Sequence, residues 1–265
     1  MPFTRTIALA LALGIAPAAR GAEPPVPLHY NLAVDASLTG GIVLTSVLLQ
    51  VFQSKIAPSK CHWCAPGAFE ASVRDALIWD DFRTADVLSS VIAMGIVPVS
   101  AVGYLVLSAH GRGDTRAGLV DSLLVVEAAG AALLLNQTVK LLVGRQRPWG
   151  YYGHDVGSSE HEKNLSFYGG HGDFAFAVAV ATITVASMRG YSGTGAVAGV
   201  GLTLAAAVAY LRLAADQHYL SDVLVGAVAG SLAGWAIPHF VHSPRPGAPQ
   251  PGAVRLAPVV LTFAF

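Results

Sequence analysis

Six stretches of the chain carry the apolar pattern of helices that cross a bilayer. They run from about 37 to 52, 85 to 107, 119 to 143, 174 to 188, 193 to 213 and 223 to 241. A helix rises about 1.5 Å per residue, so a hydrocarbon core about 30 Å thick takes about 20 residues. The first and fourth stretches are short by that measure. The pattern predicts that the first reaches back to about Leu32. The fourth should take in Gly172 and Asp173 or extend toward Arg189. Pro98 is expected as a kink within the second, and Pro238 lies near the end of the sixth. Small residues recur at helical spacing: Thr194, Ala198, Gly201 and Ala205 in the fifth, Gly226 and Gly230 in the sixth. Such positions let helix backbones approach closely in lipid.

The flanks differ from this middle. Arg5, the apolar run Ile7 to Ile15 and the small residues Ala16 to Ala22 predict a signal peptide over 1–22, cleaved between Ala18 and Ala22. A membrane-embedded domain is expected over 37–241, and 242–265 reads as a Pro/Gly-rich tail. Two long connections, 53–84 and 144–171, fall on one side of six alternating spans, together with the short 214–222.

Composition agrees with a membrane protein. Hydrophobic residues make up 54% of the 265 and charged residues 12%, against about 25% charged in an ordinary soluble domain. Disordered and coiled-coil classes are excluded on that ground. Lys+Arg and Asp+Glu balance at 16 each, so no basic surface calls for a nucleic-acid partner. The expected fold is all-α, a polytopic bundle of about six transmembrane helices in the lipid bilayer, with a bacterial inner membrane as its location. Its oligomeric state is not legible.

Three charged elements fall at the long-loop side. The first is Lys140, with Arg147 seven positions later on nearly the same helical face and Pro148 turning the chain away. Alone, this also suits an anchor at the membrane edge. The second is Gly169-Gly170-His171-Gly172 before the fourth span. Its glycines allow backbone N–H groups to converge on an oxyanion, and the following helix adds its positive end. The third is Arg212, His218 and Asp222. In a helix, His218 and Asp222 would share a face at i, i+4, and the carboxylate would fix the imidazole tautomer. Together these supply cations for a phosphate, a nucleophile and a proton donor. No metal spacing competes, since Cys61-x-x-Cys64 beside His62 is a weak metal or redox signal. No cofactor is called for.

With these residues in place the chain resembles the type 2 phosphatidic acid phosphatase superfamily, which also includes bacterial acid phosphatases and vanadium haloperoxidases. Its signature is Lys-x6-Arg-Pro, then Pro-Ser-Gly-His, then Ser-Arg-x5-His-x3-Asp. Lys140, Arg147 and Pro148 complete the first; Gly170 and His171 keep half of the second; Arg212, His218 and Asp222 keep the third at its spacing. The resemblance is strong over about 120–230. It implies metal-independent hydrolysis of a lipid phosphate or diphosphate monoester. His218 would form a phosphohistidine, Asp222 would support it, and His171 would protonate the leaving oxygen. Lys140, Arg147, Arg212 and the backbone at Gly169 and Gly170 would hold the phosphoryl group.

Two departures stand out. Tyr168-Gly169 replaces Pro-Ser, which removes a hydroxyl donor from the expected phosphate shell, and Leu211 replaces the serine before Arg212. A phosphotransferase, or a catalytically weakened lipid-phosphate-binding protein, is therefore the alternative. Orientation is in conflict. The resemblance favours a site facing outward, whereas a cleaved signal followed by three spans places Lys140 inside.

Overall fold

A computed structural model describes residues 23–245 and 247 of the chain. The expected signal peptide over 1–22 and all but the first residues of the expected tail lie outside the described residues. Ten α-helices are present among the described residues: α1 (Leu32–Val51), α2 (Gln53–Ile56), α3 (Ala68–Leu77), α4 (Phe82–Val91), α5 (Val97–His110), α6 (Thr115–Val143), α7 (Pro148–Tyr152), α8 (Gly170–Arg189), α9 (Thr194–Ala214) and α10 (Leu220–Val241). The described residues hold isolated bridges but no sheet.

Among the described residues, six helical units are long and apolar enough to cross a membrane: α1, the continuous unit Phe82–His110, α6, α8, α9 and α10. The protein is an all-α, polytopic integral membrane bundle. As expected, α1 begins at Leu32, where Asn31 caps it by accepting a hydrogen bond from the Val34 amide at 3.3 Å. The fourth span takes in both Gly172 and Asp173 and also reaches Arg189. In the second span, a π-helical turn over Ile92–Ile96 joins α4 to α5 immediately before Pro98. Proline lacks an N–H and crowds the carbonyl four residues earlier, and the wider turn relieves both.

The centre of the bundle is α8, packed against α5, α6, α9 and α10. Its inner faces are lined by alanine, including Ala175, Ala177, Ala181 and Ala186. The large apolar side chains point outward instead, among them Leu44, Val99, Leu119, Leu142, Leu232 and Phe240. An apolar exterior around an alanine-rich interior suits a lipid solvent.

The closest approach is between α8 and α10. Gly226, Gly230 and Gly234 form a seam on α10. A methyl added to each would lie 2.6 Å from Gly169 O, 2.0 Å from Asp173 O and 2.5 Å from Ala177 O. The spacing of Gly226 and Gly230 foretells this contact, and Gly234 extends it by one turn. On α9, a methyl at Gly201 would meet Ala179 Cβ at 3.3 Å.

Each end of the bundle is tied by polar contacts. At the end that holds the C-terminus of α8, Arg189 Nε donates to Asp121 Oδ1 at 2.7 Å, and Tyr191 donates to Asp121 Oδ2 at 2.6 Å. At the other end the two long connections pack together. The amide of His62 donates to Gly144 O at 2.9 Å and that of Gln146 to Trp63 O at 3.0 Å. Asn164 Nδ2 donates to Pro58 O at 2.9 Å.

Candidate active site

The three charged elements converge at the end formed by the long connections. Lys140 lies in the last turn of α6. The helix stops at Gly144, whose left-handed backbone (φ 57°) suits glycine, and its amide donates to Lys140 O at 3.1 Å. Arg147 therefore does not continue the helical face of Lys140, contrary to the expectation from spacing. It is extended (φ −70°, ψ 153°) at the N-cap of α7, and the turn brings it back. Its Nη1 donates to Gln217 Oε1 at 2.5 Å and its Nε to Glu162 O at 3.0 Å.

The second element starts α8. Gly169 is the N-cap and its amide donates to Asp222 O at 2.9 Å, which joins the starts of α8 and α10. A methyl at Gly170 would fall 2.8 Å from Asn136 Oδ1 and 3.2 Å from Lys140 Nζ, so this glycine lets α6 bring its ammonium group against the helix start. The first N–H groups of a helix have no intrahelical acceptor, and among the described residues no side chain caps those of Gly170, His171 and Gly172. His171 Nε2 lies 3.2 Å from Ser90 Oγ.

The third element straddles a turn. Arg212 is in the last turn of α9, where its Nη1 is paired with Asp86 and lies 3.1 Å from Ser89 Oγ. Its Nε is buried without a hydrogen-bond partner among the described residues. His218 is 1% exposed and precedes the N-cap of α10, Tyr219, so it is not on a helix with Asp222. The expected shared helical face is replaced by a bend that still leaves His218 Nδ1 3.7 Å from Asp222 Oδ2. That distance exceeds a hydrogen bond. The Asp222 oxygens accept instead from Arg145 Nη1 at 2.6 Å, Ser166 Oγ at 2.5 Å and the Tyr219 amide at 2.9 Å.

Burial holds the His218 imidazole well below its ordinary pKa, and the charges of Arg147, Arg212 and Lys140 push it further the same way. At neutral pH it is therefore uncharged, the form in which imidazole is nucleophilic. The turn that carries it is fixed from outside. Asp216, in a left-handed conformation (φ 56°), receives Arg74 Nε at 2.6 Å and Nη2 at 3.0 Å. Its carbonyl accepts from the Trp149 amide at 3.1 Å.

Several residues of the site were not singled out from sequence. Arg145, 1% exposed, pairs with Asp222 and Glu70 and lies between the rings of Trp63, at 3.7 Å, and Tyr219, at 4.4 Å. Asn136 Nδ2 donates to Tyr168 O at 2.8 Å. Arg145, Ser166 and Gln217 stand next to motif residues, which is the one signal that could have found them. Asp86 and Glu70 have none. Cys61 and Cys64 are joined as a disulfide, and Trp63 between them contacts the Phe167 ring at a centroid distance of 5.7 Å. The pair thus closes a cap over the site rather than offering metal ligands.

A cavity of about 210 Å³ opens beside this cluster. Lys140, His171, Asn136, Gln137, Gln50 and Gln53 supply polar lining, and Leu49, Met94, Leu133, Leu141 and Leu165 supply apolar lining. The arrangement can hold an anion beside Lys140 and His171, with apolar side chains close by.

Among known proteins, the chain aligns with one described as the crystal structure of the first transmembrane PAP2 type phosphatidylglycerolphosphate phosphatase from Bacillus subtilis. Identity is 18%, the alignment covers 78% of this chain and 95% of that one, and the TM-score is 0.43. No curated protein matches the chain. The family model of the PAP2 superfamily matches residues 121–245, a segment that contains all three charged elements. Over that segment, a little under half of its length, the chain is similar to the PAP2 superfamily.

Proposed function

We propose that the protein hydrolyses a lipid phosphate or diphosphate monoester through a phosphohistidine on His218. The observation that carries this reading is the convergence of three cations and two histidines beside a cavity of mixed polar and apolar lining. Lys140, Arg147, Arg212 and the free N–H groups at the start of α8 hold the phosphoryl oxygens. Neutral His218 attacks phosphorus, and the bond from phosphorus to the leaving oxygen breaks as His171 protonates that oxygen. Water then attacks the phosphohistidine, His171 takes its proton, and inorganic phosphate leaves. Asp222, 3.7 Å from the imidazole, stabilises the positive charge that forms on it. The positive charge for the transition state comes from side chains and backbone.

A bacterial inner membrane is the proposed location. The Cys61–Cys64 disulfide at the catalytic end supports a site facing the oxidising side.

The test is phosphate release by detergent-purified protein from phosphatidate, phosphatidylglycerol phosphate, isoprenoid diphosphate and lipid A phosphate. Wild type should release phosphate from at least one of them. Equally folded His218→Ala should lose activity by at least about a thousandfold, a conservative bound beside the roughly millionfold loss seen when a nucleophile is removed from a serine hydrolase. No release from any lipid by folded wild type would sink the reading.

Gly169 favours a second reading, that of a weakened enzyme that binds lipid phosphate. A methyl there would lie 3.4 Å from Asp222 O, an ordinary contact, so a serine fits. Gly169→Ser is expected to raise turnover by restoring a hydroxyl donor. Unchanged or lower turnover at equal thermal stability contradicts the missing-donor account.

A further inference from the structure

A second buried polar cluster lies toward the opposite end of the bundle, away from the residues of the candidate active site. Asp35 of α1, Glu127 of α6 and His242, just after α10, each offer one ligand atom, and these atoms lie within 4.8 Å of one another. The residues are 6%, 7% and 1% exposed. Carboxylates buried this deeply are normally paired or bind a cation.

The histidine is oriented toward the cluster. Its Nδ1 lies 3.1 Å from His29 O. A carbonyl only accepts, so Nδ1 carries the proton and donates, as the outer nitrogen of a metal-bound histidine does. Nε2 then presents its lone pair to Glu127 Oε2 at 3.4 Å. Neither Nε2 nor Glu127 Oε2 has a hydrogen-bond partner among the described residues. A charge-assisted hydrogen bond would draw them to about 2.7–2.9 Å. By contrast, two ligands of a tetrahedral ion with bonds of about 2.0–2.1 Å stand about 3.4 Å apart. Asp35 uses Oδ2 to accept the Asn31 amide at 2.8 Å, so its other oxygen is available. Two carboxylates and a neutral imidazole balance the charge of a divalent cation.

We propose that Asp35, Glu127 and His242 bind a first-row divalent cation of the zinc class. The ion joins the start of α1 and the end of α10 to α6. One nitrogen and two carboxylate donors suit such an ion, with a position left for water. Its role is structural, because the site stands at the end opposite His218, and it is independent of the proposed hydrolysis.

The test uses full-length protein purified without a polyhistidine tag and stripped with a chelator. Added Co²⁺ should bind at one equivalent per chain with the visible absorption of a four-coordinate ion, and Zn²⁺ should displace it and raise Tm. Glu127→Gln, close to isosteric, and His242→Ala should each weaken Co²⁺ binding at least about a hundredfold, the upper range for losing even an outer-shell partner. His218→Ala should bind Co²⁺ as wild type does. No stoichiometric Co²⁺ or Zn²⁺ uptake by wild type would overturn the proposal and leave a proton shared by His242 and Glu127. Uptake unchanged in Glu127→Gln would overturn it too. The wild-type stoichiometry decides the matter even if a variant fails to fold.

Discussion

Gly230→Ala is expected to lower stability by at least about 3 kcal/mol, the upper end for overpacking, and to cost most of the activity. The added methyl would sit 2.0 Å from Asp173 O, 2.8 Å from Asp173 C and 3.1 Å from Ala177 N. These are backbone atoms of α8, so no side chain can swing aside and the helices must separate. The separation reaches the site directly. His171 rides on the first turn of α8, and His218 leads into α10. Reacting groups misplaced by about 1 Å can lose about a hundredfold in rate. Thermal unfolding in detergent and phosphate release would be measured together. Gly41→Ala is the control, because a methyl there meets nothing within 4 Å. It should be neutral or stabilising by up to about 1 kcal/mol, the helix preference of alanine over glycine. A Gly230→Ala protein with wild-type stability and turnover would contradict the seam as described.

Arg145→Ala is the second large effect. The guanidinium joins Glu70 of α3, Ser221 and Asp222 of α10, and the ring of Trp63 in the disulfide cap. Its removal leaves Asp222, 0% exposed, without its charge partner. Breaking a buried pair from one side costs about 3–5 kcal/mol. Turnover should fall as well, because the carboxylate beside His218 and the cap over the site share this anchor. Arg145→Lys should recover only part of either loss, since an ammonium group does not reproduce the fork to two acceptors. A double-mutant cycle with Asp222→Asn separates pairing from general damage. The double variant should lose less than the sum of the single losses, by about 1–3 kcal/mol. Strict additivity would show that the pair is not an energetic unit.

These two residues mark what was and was not legible in the sequence. The six spans were, because an apolar run of sufficient length has few other meanings. Gly230 was singled out by its spacing from Gly226, since small residues at i, i+4 form a face wherever the helix goes. The candidate constellation was picked out by motif spacing, and the fold brings its three charged elements to one end of the bundle. The geometry behind that spacing was not, because it assumed continuous helices. Gly144 ends α6 before Arg147, and Tyr219 begins α10 after His218. In both places a turn does what a helical face was expected to do. Arg145 and Asp86 stayed hidden for a different reason. Their partners are Asp222 and Arg212, far away in the chain, and only the folded bundle brings them together. The same holds for Asp35, Glu127 and His242, each of which reads alone as an isolated polar residue near an apolar run.

The central claim is that His218 takes the phosphoryl group covalently, and capture of that intermediate tests it most directly. Purified protein would be mixed with its preferred lipid phosphate, quenched at alkaline pH, where phosphohistidine survives, and digested for mass spectrometry. The account predicts a phosphoryl group on the peptide that contains His218, at that residue, with none formed in His218→Ala. Turnover with no covalent phosphate at any time point, or with the phosphoryl group on another residue, would contradict it.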